Sequence, residues 1–271
     1  MTSLSFRKMH GTGNDFVVLD ARANPLSLSE AQVRRLCDRH FGIGCDTLVV
    51  LDKATEGDVA TRFYNSDGTL SATCGNASRC VADIVMRETG REAVQLSTGG
   101  GLLEATRAAD GGITVNMGAP KLEWQQIPLS ESRNTLHLGL EQGLLMDPVA
   151  VNMGNPHAIF FVHDLHHIKL ADWGPKLEHH PLFPQRANIS AVQALSPSHI
   201  KMVVWERGVG LTLACGSAAC AAVVAGVRRE ITSRNVQVDV PGGSLQVEWP
   251  QDGEVRMSGG VAYVFEGQIE I

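Results

Sequence analysis

Two windows of this chain are apolar on nearly every side over the length of a short helix, and short alternating segments surround each of them. In the first window, residues 76–88, Ala77, Cys80, Val81, Ala82, Ile84 and Val85 cover much of a helical circumference, and Gly90 is placed to stop the helix. In the second, residues 218–227 are almost all small and apolar. A helix with so little polar surface must be wrapped by other elements rather than laid against one. The wrapping is supplied by period-2 segments at 93–97, 101–106 and 112–117, echoed at 236–240, 245–249 and 254–257. Upstream, Gly11-Thr12-Gly13-Asn14-Asp15 reads as a polar turn leading into a buried strand at 16–20. A helix capped by Ser29 is expected to run from Glu30 to His40, with Val33, Leu36 and Cys37 as its apolar stripe. Further strands are expected at 48–51 and 62–65, the latter closed by the turn Ser66-Asp67-Gly68-Thr69. Pro181, Pro184 and Pro197 mark irregular segments, and 120–148 reads as the crossing between two halves.

Each apolar window opens on a cysteine. Cys74-Gly75-Asn76-Ala77-Ser78-Arg79-Cys80 and Cys215-Gly216-Ser217-Ala218-Ala219-Cys220 have the same form and stand 141 residues apart. Gly13-Asn14 and Gly154-Asn155 repeat at the same offset, and Val115-Asn116-Met117-Gly118 resembles the stretch from Val255 to Gly259. Three landmarks in register across nearly half the chain indicate a duplication, with a period far too long for a solenoid. Each half then brings one thiol to the mouth of a buried helix, where backbone N–H groups and the helix dipole favour an anion and lower a cysteine pKa. A pseudo-twofold arrangement would set the two thiols facing each other.

Composition narrows the field. The chain has 271 residues, 44% hydrophobic and 19% charged, as a globular protein of two ordinary domains does. A formal charge of −6 and the lack of a Lys/Arg run argue against a nucleic-acid partner. Residues 1–8 lack the apolar core of a signal peptide, and no apolar stretch reaches the roughly 20 residues of a membrane span, so a cytoplasmic location is the default. Six cysteines (37, 45, 74, 80, 215 and 220) are too few for a disulfide scaffold, and their spacing misses the zinc pattern of paired short loops. Cys80 and Cys220, and with them Cys37 and Cys45, fit small core residues.

Taken together, the segments from His10 to Phe16, Phe63 to Gly68, Cys74 to Cys80, Gly154 to His157, Arg186 to Ile189 and Trp205 to Cys220 resemble the diaminopimelate epimerase family. The resemblance implies an α+β fold of two pseudo-symmetric domains, each a mostly antiparallel sheet curled around a central helix, with substrate held between them. It implies a first half at 1–118, completed by 262–271, and a second at 119–261. The implied reaction is interconversion of LL- and meso-diaminopimelate, in lysine and peptidoglycan precursor biosynthesis, on a small-molecule substrate with no cofactor, metal, nucleic acid or membrane. A homodimer is the assembly considered.

The chemistry suits the residues. Epimerisation removes a weakly acidic α-proton from one face and returns one to the other, which a thiolate and an opposing thiol accomplish directly. Cys74 and Cys215 are that pair, and N–H groups of Gly75, Asn76, Gly216 and Ser217 would hold the charge developing on the α-carboxylate. By match to the family, Asn14 and Asn155 line the site, Glu206 meets the α-ammonium with His157 in support, and Asn65, Asn188 and Arg207 grip the distal end. Thr47 stands where many relatives carry a substrate-contacting glutamine. Ala77 and Ala218 replace a common glycine, and Leu211 a frequent glutamate. Three other readings compete: a two-cysteine racemase of proline, hydroxyproline or histidine; a non-catalytic binder whose cysteines form a reversible disulfide; and a thiol hydrolase using His157.

Overall fold

The computed structural model describes residues 3–251 and 253–271. Its contacts divide the chain into two compact units, one running to Val115 and taking back Ser258–Ile271, the other Asn116–Met257.

The first unit starts with a strand that the alternation did not announce, Ser3–Gly11 (β1), hairpinned to Asn14–Asp20 (β2). Its two-residue turn puts Thr12 and Gly13 at φ 57° and 80°, the conformation a twisted hairpin demands and glycine tolerates best. Arg7-Lys8 hides β1 in the sequence; Lys8 is nevertheless buried, because its ammonium meets Asp15 and the Gly44 carbonyl. The helix Glu30–Cys37 (α1) follows, capped reciprocally by Ser29 and Gln32. It ends three residues short of His40. Asp38 has left helical geometry (φ −64°, ψ 126°), and its carboxylate accepts the N–H groups of His40 and Phe41 at 2.7 and 2.8 Å, which competes with another helical turn.

Strands Thr47–Asp52 (β3) and Val59–Asn65 (β4) come next, then the short Leu70–Ser71 (β5), the helix Gly75–Thr89 (α2), and strands Ala93–Thr98 (β6), Gly101–Arg107 (β7) and Ile113–Asn116 (β8). β2 runs parallel to β3, β3 antiparallel to β4, β4 antiparallel to β5 and parallel to β6, and β6, β7 and β8 form a meander. The chain's last strand, Ala262–Glu270, returns to pair antiparallel with β1 along almost its whole length. Residues Gly75–Met86 of α2 are all buried, including Ser78, Arg79 and Asp83, so the helix is enclosed more completely than its apolar positions alone require. Asp83 is balanced there by Arg87 at 2.7 Å and Arg107 at 3.2 Å. Gly90, at φ 71°, closes α2 in the left-handed conformation.

The second unit opens on residues 120–148, expected as a crossing. They carry the small hairpin Glu141–Gln142 (β9) and Leu145–Met146 (β10), and they bury Ile127, Leu129, Leu138 and Leu145 in a core of their own unit. After them the first unit's plan is repeated: Val149–Asn152 (β11), Pro156–Phe161 (β12), helix Leu170–Glu178 (α3), Asn188–Ser196 (β13), His199–Glu206 (β14), Gly210–Leu211 (β15), helix Gly216–Arg228 (α4), Asn235–Val240 (β16), Gly243–Glu248 (β17) and Arg256–Gly259 (β18). The first unit's closing strand, Ala262–Glu270, is β19. The pairing is the same: β11 antiparallel to β12, β12 parallel to β13, β13 antiparallel to β14, β14 antiparallel to β15 and parallel to β16, β16 antiparallel to β17.

The offset of 141 holds at element ends. α1 and α3 end at Cys37 and Glu178, β3 and β13 begin at Thr47 and Asn188, β4 and β14 end at Asn65 and Glu206, and α2 and α4 begin at Gly75 and Gly216. The fold is thus α+β with two pseudo-symmetric units. In the second, Ala218–Ala225 of α4 sit in one cluster with Val192, Met202, Val204, Val236, Val238, Leu245 and Val247 from the surrounding strands. Small residues on the helix let those strands approach, and each buried valine contributes roughly 1.5–3 kcal/mol.

Candidate functional site

In each unit the starts of two parallel strands, the end of the third and the N-terminus of the enclosed helix come to the same edge. That edge gathers the residues singled out in the sequence.

In the first unit Cys74 precedes α2 with extended backbone (φ −147°, ψ 101°) and is half-buried. Its carbonyl accepts the Ser78 N–H at 2.8 Å, the first bond of the helix. Gly75 and Asn76 occupy the first turn, where backbone N–H groups have no intrahelical partner. Asn76 Nδ2 donates to Asn14 Oδ1 at 3.3 Å, so the turn before β2 and the helix mouth are directly joined. Thr47 opens β3 and lies opposite Asn65, the last residue of β4. Asn65 Nδ2 is engaged by Thr69 Oγ1 at 3.0 Å, within its own turn.

The second unit answers residue for residue. Cys215 precedes α4 (φ −128°, ψ 112°), followed by Gly216 and Ser217. Asn188 opens β13; its Nδ2 donates to the Pro156 carbonyl at 2.9 Å and its Oδ1 accepts the Arg207 N–H at 2.9 Å. Arg207 donates a guanidinium N–H to the Gln185 carbonyl at 3.0 Å. Glu206 accepts the Thr212 hydroxyl. Asn155 Oδ1 and His157 Nε2 are 2.7 Å apart. The fourteen candidates therefore fall into two groups, six in the first unit and eight in the second. Asn14 pairs with Asn155, Thr47 with Asn188, Asn65 with Glu206, Cys74 with Cys215, and Asn76 with Ser217 at the common offset.

The two thiols differ. Cys215 is only 6% exposed. Burial pushes its thiol well above the ordinary value and the Glu206 carboxylate pushes it further, against smaller opposing effects of Ser217 and the Ala218 N–H. At neutral pH it is a thiol. His157 is fully buried, and burial first, then the charge of Arg207, lowers it to about 3. It is therefore neutral and donates Nε2–H to Asn155, and it is too weak a base to serve as the partner of a hydrolytic cysteine near pH 7. Cys37, Cys45, Cys80 and Cys220 are buried among packed side chains, Cys37 and Cys45 with their sulfurs 3.5 Å apart.

Three charged residues escaped the sequence reading. Arg79, fully buried, donates to Asn76 Oδ1 at 2.9 Å and Thr12 Oγ1 at 3.1 Å. Asp46 accepts from Asn14 Nδ2 at 2.9 Å, and Asp15 is gripped by Lys8 and, at 2.7 Å, by Arg39. Arg79 could have been found from its place three residues after Asn76, on the same helix face. Nothing local marks Asp46, whose partners lie 7 and 32 residues away. Among the described residues no three His, Cys, Asp or Glu side chains gather as a metal site, and no helix is long and apolar enough to cross a membrane.

Comparison with known proteins identifies the group. The family model described as diaminopimelate epimerase matches residues 6–123 and 149–264. Diaminopimelate epimerase from Gluconobacter oxydans is 52% identical over 268 residues, 98% of both chains. That from Rhodospirillum centenum is 50% identical over 266 residues, 97% of this chain and 91% of the relative. Among solved structures, a phenazine biosynthesis protein of the PhzF family from Bacillus anthracis matches over 100% of both chains with TM-score 0.73 and 16% identity. A hydroxyproline epimerase from Agrobacterium vitis, with bound trans-4-hydroxy-L-proline, matches over 98% of this chain and 92% of its own with TM-score 0.71 and 14% identity. At such identities the two structures speak for the fold alone. Identity of about one half over nearly the full length speaks for more, and the chain belongs to the diaminopimelate epimerase family, an epimerase within the isomerases.

Proposed function

We propose that this chain interconverts LL- and meso-diaminopimelate without a cofactor, with Cys74 and Cys215 as proton acceptor and donor on opposite faces of one α-carbon. The observation that carries this is the pair of cysteines at equivalent helix mouths, each with its own first-turn N–H groups and its own set of polar side chains. Two monoprotic groups are what inversion at carbon requires, since a single base returns the proton to the face it came from.

Cys215, kept as a thiol by burial and Glu206, is suited to donate, which leaves Cys74 as the thiolate base in that half-reaction. Microscopic reversibility exchanges the roles on return. Charge developing on the α-carboxylate is met by N–H groups of Gly75, Asn76, Gly216 and Ser217, an arrangement in which loss of one donor costs about 3–4 kcal/mol of barrier. Glu206 takes the α-ammonium with His157 holding Asn155 in place, Asn14 and Asn155 line the site, and Asn65, Asn188 and Arg207 take the distal amino acid head. Thr47, shorter than the glutamine of many relatives, leaves room for a bridging water.

On this proposal residues 1–118 with 262–271, and 119–261, are the two catalytic halves. The pathway is lysine and peptidoglycan precursor synthesis, and the cytoplasm, where thiols stay reduced, is the setting. A homodimer is the assembly we propose; the exposed apolar row Tyr263, Val264 and Phe265 on β19 supports it.

The test is incubation of the purified protein with LL-diaminopimelate in heavy water, beside proline, trans-4-hydroxyproline and histidine. Deuterium should enter the α-position of diaminopimelate as LL and meso forms equilibrate. Exchange only with one of the other amino acids would overturn the substrate assignment.

A further inference from the structure

A chain of directed hydrogen bonds runs behind the first unit's cysteine. Asp46 Oδ2 accepts from Asn14 Nδ2 at 2.9 Å, Asn14 Oδ1 accepts from Asn76 Nδ2 at 3.3 Å, and Asn76 Oδ1 accepts from Arg79 Nη1 at 2.9 Å. The two amides could each be turned over, but the groups at the ends could not. A carboxylate only accepts and a guanidinium only donates, so any flip sets N–H against N–H or oxygen against oxygen. The direction of every bond is therefore fixed by the two charges.

Asp46 is itself held. Its Oδ1 accepts from Arg39 Nη2 at 2.6 Å, and its Oδ2 also receives the Asp15 N–H at 3.3 Å. The same Arg39 donates to both oxygens of Asp15, and Lys8 donates to Oδ2 of that carboxylate. Burial alone would raise Asp15, but the hydrogen bonds from Arg39 and Lys8 outweigh it and keep the carboxyl well below the usual range. The second unit has no counterpart, because at the 141 offset Ala187 stands for Asp46 and Cys220 for Arg79.

Resting on the substrate site proposed above, we propose that Asp46 is a positioning residue. It fixes the Asn14 amide and, through Asn14, the Asn76 side chain at the mouth of α2, so that the first-turn N–H groups beside Cys74 meet the substrate carboxylate already aligned. Asp46 touches no substrate and acts through Asn14.

Kinetics of D46A, D46N, N14A and D46A/N14A on LL-diaminopimelate, with thermal melts of each, form the test. D46A is expected to lower kcat/KM about tenfold or more, chiefly through kcat, with a melting temperature near that of the wild type because Asp46 is only half-buried and its partner Arg39 is exposed. D46N keeps an acceptor for Asn14 but loses the one for Arg39, and should fall between the two. In the N14A background the Asp46 change should cost no more than about twofold, since the residue through which it acts is gone. D46A at wild-type kcat/KM while N14A is impaired overturns the role of Asp46 alone, as does an equal loss in both backgrounds. N14A at the wild-type value removes Asn14 from the site and the proposed substrate contacts with it.

Discussion

Cys74 and Cys215 share a motif, a helix position and an offset, yet one is half-buried and the other nearly inaccessible. A chemical inequality appears at Phe16 and His157, which are equivalent by the offset and both fully buried. In the second unit that place holds an imidazole whose Nδ1 has no hydrogen-bond partner among the described residues. Its pH consequence has a definite sign. The folded value is about 3 and the unfolded value about 6.5, so the unfolded chain takes up the proton first as pH falls. Stability due to neutral His157 is complete above pH 6.5 and is lost progressively toward pH 3, about 2 kcal/mol of it between pH 7 and pH 5. H157F, which installs the residue found at the equivalent place, should flatten that part of the urea-midpoint profile against pH. A variant profile parallel to the wild type would show that the histidine is not the group responsible.

At the scale of elements, the helix mouths and strand ends were readable because glycine, cysteine and asparagine mark them locally. The end of α1 was not, since Asp38 competes for its own neighbours. Nor was the fit of α3 against β14. Gly174 of α3 presses on Trp205, and a Cβ added there would stand 2.6 Å from the indole Cγ. Trp205 donates Nε1–H to the buried Glu178 at 2.7 Å and immediately precedes Glu206. G174A should therefore destabilise the protein by about 1–3 kcal/mol through overpacking. It should also weaken substrate binding by displacing Glu206. Chemical denaturation with KM determination checks both, and an alanine tolerated without change in either would mean the helix can shift at no cost.

For the whole molecule, the repeated strand order and pairing make two units of one plan, but the proposed reaction needs both at once. C74S and C215S should each lower turnover by roughly 10²–10⁴-fold or more. The double variant should be little worse than either single one, because removal of one partner already stops inversion. Additive losses in the double variant would indicate that the two thiols serve separate steps.

Periodicity and the 141-residue repeat were enough to determine two sheet-and-helix units and a cysteine at the mouth of each helix, because those features depend on spacing within short stretches. Resemblance to the family, rather than local pattern, added most of the other candidates, and twelve of the fourteen fall at matching places in the repeat. Only the tertiary structure decided that Lys8 and Arg79 are buried, that Asp46 accepts a hydrogen bond from Asn14, and that burial and Glu206 raise the Cys215 thiol. Each of these depends on partners far away in sequence, and on burial, which multiplies the energy of a charge or hydrogen bond according to what folding has placed around it.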